Sequence, residues 1–231
     1  MTLYETIFVR RAVRKFDSSP LDTATIESVK KLITDTPQLA GQSARFEIVS
    51  GDKVHGGAPA PHYLLAYCEE NDSAYANVGY IVQNVDLYLQ SIGLGSVWLG
   101  MAKPNEPEQN YCILLAFGKT DVPLRKSAEE FTRLPMSDVS DTDNAIAKAA
   151  RLAPSAMNSQ PWKLHFENGK IVIQYFGRGL MKLMLRKKLN KIDLGIITRH
   201  VEVALQKEGK TIRSITPKKV GKSFEIEVTY V

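Results

Sequence analysis

The chain has 231 residues, of which 44% are hydrophobic, 24% charged and 8% aromatic, an ordinary globular composition that excludes general disorder. Thirty Lys and Arg against 25 Asp and Glu leave a net charge of +5, and no uncharged apolar stretch approaches the ~20 residues that a membrane span needs. The two cysteines, Cys68 and Cys112, sit in apolar runs, which reads as core or strand context and excludes a disulfide scaffold.

The N-terminus, MTLYETIFVRRAVRKF, reads as a short apolar helix followed by a cluster of cations. Because the basic residues follow the apolar ones, it does not read as a signal peptide, and the cytoplasm is the expected address. Arg10 and Arg14 share a face if the turn is helical, and guanidinium forks suit a phosphate monoester. Asp22 is placed to cap an amphipathic helix carrying Ile26, Val29 and Ile33. That helix runs into a proline break at 36–42 and then a strand, RFEIVS. NVGYIVQNVDLYLQSIG, from Asn77, has helical spacing and stops at Gly93, a C′ position. GLGSVWLG (93–100) follows, and YCILLAFG (111–118) closes this half as a strand.

From Phe131 the pattern starts again. Asp141 stands as the acidic cap before a helix with Ile146, Ala149 and Ala150, and a break, APSAMNSQ (153–160), leads to the strand WKLHFE. A helix from Asp193, DLGIITRHVEVALQKEG, ends at Gly209, and FEIEVTYV (224–231) is the closing strand. Laid over each other, the long helices match at a constant offset of 116: Gly79 with Gly195, Val85 with Val201, Leu89 with Leu205, Gln90 with Gln206, Gly93 with Gly209. The order helix, helix, strand, strand, helix, strand occurs twice. The expectation is a duplicated α+β unit, 1–120 and 121–231, whose copies pack across a pseudo-twofold axis.

The copies differ in a complementary way. Copy one keeps RRAVRKF where copy two has RKSAEEF, and copy two keeps PSAMNSQPW where copy one has PQLAGQSA. Ser155, Asn158 and Gln160 offer hydroxyl and amide groups able to read the edge of a flat heterocycle.

The basic opening, the APSAMNSQPW segment and GLGSVWLG together resemble the FMN-dependent nitroreductase family. The order departs from the usual one, in which the Asn-Gln-Pro-Trp element precedes the GLG stretch. It is similar to a less common branch in which two half-size repeats in one chain imitate the ordinary homodimer. The resemblance implies a nitroreductase-like α+β fold and one FMN site per chain, built between the copies. Arg10, Arg11, Ala12 and Arg14 would serve the phosphate and the polar edge of the flavin, with Ala12 standing where the family has Ser. Arg125 and Lys126, after Gly118, would join them at the phosphate. Trp98, Leu99 and Gly100 would pass beside the isoalloxazine, and Pro154, Ser155, Ala156, Met157, Asn158 and Gln160 would come from the second copy. The pseudo-symmetric site, RKSAEEF with PQLAGQS, would have lost its chemistry.

The implied activity is ping-pong: NADH or NADPH gives hydride, leaves, and a nitroaromatic, quinone or similar acceptor enters the same slot. No catalytic side chain is assigned. The chain would act as a monomeric pseudo-dimer or as a homodimer. His55, His62, His165 and His200 show no metal spacing, so no metal is expected. Between Arg178 and Lys222 stand 13 Lys and Arg against three acids, and a solvated face is the expectation for that sector. A flavin-binding module without turnover and a basic nucleic-acid-binding protein are the alternative readings.

Overall fold

The computed structural model describes all residues except 107, 179–184, 186 and 222, so three cations of the basic sector, Lys182, Arg186 and Lys222, lie outside the described residues. Helices α1 (Leu3–Ile7) and α2 (Thr23–Asp35) precede strands β1 (Ala44–Ser50), β2 (Val54–His55) and β3 (His62–Cys68). Helix α3 (Asp72–Ser91) and strands β4 (Gly95–Leu99), β5 (Lys103–Pro104) and β6 (Tyr111–Gly118) follow. The rest comprises α4 (Met136–Val139), α5 (Ala145–Arg151), β7 (Trp162–Glu167), β8 (Lys170–Tyr175), α6 (Leu189–Lys207), β9 (Ile212–Val220) and β10 (Ser223–Tyr230).

Eight strands form two antiparallel four-stranded sheets, ordered β1-β3-β6-β4 and β7-β8-β10-β9. Their apolar alternation faces a core shared with α3 and α6, in which Leu64, Leu115, Phe117, Leu164, Ile173 and Ile226 are all but inaccessible. The two long helices lie against each other, and both are buried along most of their length.

Glycine permits that approach. A Cβ on Gly79 would stand 2.0 Å from the carbonyl oxygen of Ile192, and one on Gly195 would stand 1.8 Å from that of Ala76. Each glycine meets the backbone of the opposite helix, and the two contacts exchange places under the offset of 116 seen in the sequence. Both helices end alike. Gly93 (φ 83°) and Gly209 (φ 71°) adopt the left-handed C′ conformation, and Leu94 and Lys210 donate back to Leu89 and Leu205 at 2.9 Å, closing Schellman motifs.

Three expectations are corrected. Each half ends in two strands, not one: GSVWL within GLGSVWLG pairs with β6, Ser96 opposite Phe117, and residues 212–220 form an edge strand whose Pro217 needs no ladder donor on its free side. The cap of α5 is Asn144, which accepts from Ala147 N at 2.8 Å. Asp141 lies outside the helix and accepts from Phe166 N at 3.2 Å. Lastly, residues 10–16 are not helical. Cys68 and Cys112 are buried free thiols. Among the described residues, no helix is long and apolar enough to cross a membrane.

Candidate active site

A cleft of about 310 Å³ gathers four segments far apart in sequence. Arg10, Ala12 and Arg14 come from the N-terminal stretch, Val97, Trp98, Gly100 and Met101 from β4 and its end, and Pro154, Ser155, Ala156 and Met157 from the loop after α5. Leu189, Ile192, Asp193 and Ile196 of α6, with Ile113 and Leu185, complete an apolar wall. A more open groove of about 520 Å³, lined by Glu47, Asp52, Glu106 and Glu108 among others, contains none of the residues singled out in the sequence.

The N-terminal stretch reaches the cleft in extended form. Val13 N donates to Ser96 O at 3.0 Å, tying it to β4. Side chains therefore alternate with period two: Arg10, Ala12 and Arg14 face the cleft, while Val13, 1% exposed, packs where a Cβ on Gly95 would stand 2.8 Å from it. Arg10 and Arg14 do share a face, but by strand alternation.

A buried polar network fixes this stretch to α3. Asp86 Oδ2 accepts from Arg10 Nε at 2.8 Å and Gln83 Nε2 at 2.9 Å, and its Oδ1 accepts from Ser96 Oγ at 2.7 Å and Gln90 Nε2 at 3.0 Å. Gln90 Oε1 takes Arg11 N at 2.8 Å, and Gln83 Oε1 takes the indole N–H of Trp98 at 3.1 Å. Asp86 thus sets the positions of two cleft segments at once. Removing one partner of such a buried pair leaves an uncompensated charge.

The loop after α5 carries backbone strain. Met157 (φ 51°), Asn158 (φ 54°) and Gln160 (φ 45°) are left-handed, a conformation costing L-residues roughly 1–2 kcal/mol apiece. Their side chains and neighbours hold it. Ser155 Oγ accepts from Gln160 N at 2.9 Å, Gln160 Oε1 accepts from Leu134 N at 2.9 Å, and Ala156 N donates to Asp193 at 2.9 Å. Asn158 donates to Thr132 O at 3.0 Å and accepts from Arg133 at 2.9 Å. Backbone strain held this firmly is characteristic of functional sites.

Nine of the fifteen residues selected from the sequence therefore line one cleft. The other six lie off its wall. Leu99 points to the opposite face of β4, where a Cβ on Gly57 would meet it at 2.9 Å. Arg11 pairs with Glu130 at 3.4 Å, and Glu130 also accepts from Lys126 N at 3.0 Å. Arg125 donates to the Arg10 carbonyl and stacks on Phe131 at 4.1 Å. Asn158 and Gln160 serve the loop, as described. Arg133 extends the guanidinium cluster: burial and the neighbouring Arg10, Arg125 and Arg151 push it down to about 9, still charged at neutral pH.

Asp86 and Asp193 escaped the sequence reading. Asp193 is 2% exposed, and its carboxylate also accepts from Asn190 Nδ2 at 3.1 Å. Burial pushes this carboxyl up to about 7, against the pull of those two hydrogen bonds. Two turns further along α6, burial pushes His200 down to about 3, so its ring is neutral, lying 3.2 Å from both Ala149 O and Gln83 Nε2. The one signal pointing to Asp193 was the offset itself, which sets it against Asn77.

A solved structure shares this architecture. A structure from Thermotoga maritima, described as a "putative nitroreductase", superposes with a TM-score of 0.70 at 21% identity, covering 99% of this chain and 94% of its own. A Clostridium difficile 630 nitroreductase family protein matches at 19% identity and a TM-score of 0.48, covering 60% of this chain and 96% of its own. A Desulfovibrio desulfuricans protein solved in complex with FMN matches at 16% identity and a TM-score of 0.48, over 62% and 96%. No curated protein matches. The family model "Putative TM nitroreductase" aligns with residues 2–205, a span that holds every segment of the cleft, and the chain accordingly belongs to that nitroreductase family.

Proposed function

We propose that the cleft binds FMN and that the protein is an oxidoreductase passing electrons from NADH or NADPH to nitroaromatics, quinones or similar electron-poor acceptors. The observation that carries this reading is the convergence on one cleft of the three segments behind the family resemblance. The residues present fit the group. An apolar wall of Trp98, Ile113, Leu189, Ile192 and Ile196 suits a flat ring system, and two guanidiniums at one side suit a phosphate. Arg14 is exposed and makes no hydrogen bond or ion pair among the described residues.

Bound there, the flavin would supply a hydride carrier, so that donor and acceptor need not be bound at the same time. The chain supplies position. Asp86 holds Arg10 and Trp98 through its network, while Asn158 and Gln160 shape the loop that presents Pro154 to Met157. Ala12 offers no hydroxyl. Two half-repeats, 1–120 and 121–231, acting as one unit with a single cleft are supported by the reciprocal glycine contacts. Nicotinamide and acceptor would use the same opening in turn, beside the exposed Met101 and Met157.

The test is optical. Protein loaded with FMN under nitrogen should bleach on addition of NADH or NADPH and regain its colour with a quinone. Bleaching by dithionite but by neither nucleotide would replace turnover with flavin binding alone, and failure to bind FMN would remove the reading altogether.

A further inference from the structure

Among the described residues, three charged side chains line the cleft: Arg10, Arg14 and Asp193. Arg10 is matched by Asp86 at 2.8 Å. Among the described lining residues, the net charge of the cleft therefore rests on Arg14 and Asp193. With Asp193 ionised the two cancel, and with Asp193 protonated one positive charge is left for an anion.

Among the described residues, none supplies a counter-charge to Asp193. Its oxygens accept from the N–H of Ala156 and the amide of Asn190. On the same helix, Lys191 is paired with Asp72 of α3 at 3.1 Å, and His200 is neutral. From α3, Asp86 is taken by Arg10. Strand β4 and residues 153–161 carry no ionisable side chain.

The matching helix shows what this position requires. Asn77, 116 residues earlier, accepts from Leu39 N at 2.8 Å, in the break at 36–42 that corresponds to the loop at 153–160. Asp193 does the same for Ala156 N. Holding the loop takes one acceptor oxygen, and a neutral amide provides it. The carboxyl at 193 brings a titratable charge that the structural task does not need, at the point where it decides the charge of the cleft.

We propose that Asp193 makes binding of a phosphorylated flavin proton-linked: the anion draws a proton onto Asp193, and affinity falls as the pH rises through neutrality. This rests on the reading of the cleft as an FMN site. The raised carboxyl, at about 7 in the free protein, places the effect in an accessible range.

Fluorescence titration of apoprotein with FMN at pH 6.5 to 8.5, for the unmodified protein and Asp193→Asn, tests it. The unmodified protein should weaken by about tenfold across that range, and the variant should not. The phosphate of FMN titrates near ~6 in both arms, so the difference between them isolates Asp193. Calorimetry at pH 7.5 in two buffers of different ionisation heat should show proton uptake on binding, lost in the variant. Riboflavin, which has no phosphate, should bind with little dependence on pH. Identical pH profiles for protein and variant, or a riboflavin slope equal to that of FMN, would overturn the proposal while leaving the FMN site intact. Failure of FMN to bind either protein at any pH would overturn the site reading and this proposal together. Should Asp193→Asn fail to fold, the absence of proton uptake in the unmodified protein would by itself overturn the proposal.

Discussion

At Arg14, exposure and the proposed phosphate contact coincide. The side chain is solvent-accessible, unmatched among the described residues and on the wall of the cleft, so Arg14→Ala should leave the melting temperature nearly unchanged. Hydrogen bonds to charged groups are worth about 1.5–3 kcal/mol, so FMN affinity should drop about 10- to 100-fold; a well-folded variant with unaltered affinity would make Arg14 a solvated side chain only. Asp193 predicts a pH effect of its own in the apoprotein. Its carboxyl sits at about 7 when folded and near ~3.9 when unfolded, so the folded state holds the proton more tightly. Below pH 4 both states are protonated and burial costs nothing, whereas above pH 7 both are ionised and the full cost applies. Urea unfolding of the unmodified protein and Asp193→Asn should therefore show a stability gap favouring the variant that opens between pH 4 and 7, up to roughly 4 kcal/mol. A gap constant with pH would contradict this. Neither Asp86 nor Asp193 was legible beforehand, because an acid inside an amphipathic helix looks like part of a solvated face until a second helix covers it. Arg10, Ala12 and Arg14 were legible as a group, although their shared face comes from extended backbone.

Among the elements, α3 and α6 were the most legible, since apolar residues at helical spacing and a terminal glycine marked each. The glycines within them carry a sharper prediction. Gly195→Ala would force a Cβ to within 1.8 Å of a carbonyl oxygen, so the helices must separate, and overpacking of this kind typically costs 1–3 kcal/mol or more. Gly93→Ala meets nothing within 4 Å and bears only the left-handed backbone penalty of about 1 kcal/mol. Chemical denaturation should rank Gly195→Ala as the more damaging, and FMN affinity should fall only there, because Asp193 and Ile196 adjoin it on the cleft wall. Strand β4 was missed for a plain reason. GLGSVWLG drew attention as a motif, while its alternating Val97 and Leu99, which pair with Ala116 and Leu114, are what make it a strand. Asp141 lost the cap of α5 to Asn144 because DTDN offers four capping residues in a row, and only the one immediately before Ala145 reaches Ala147 N.

At the scale of the molecule, the complementary losses in RKSAEEF and PQLAGQS predict one FMN per chain. Titration of apoprotein should saturate at one equivalent, and two equivalents would contradict the assignment of a single intact cleft. The nitroreductase fold was legible because its segments were recognisable one by one; the way they close on each other was not, since no periodicity reports which face of α6 meets the loop at 153–160. The walls of the cleft run from Arg10 to Ile196, and this spread has a consequence for biogenesis. On the ribosome, Arg14 emerges early and waits while most of the chain is still being made. A nascent chain ended at Gln160 has the basic opening, β4 and the strained loop, but it lacks α6, Asp193 and the apolar wall against which a ring could lie. With the cleft as the proposed FMN site, capture of the cofactor would follow synthesis of the last long helix, and a truncated product should leave translation colourless.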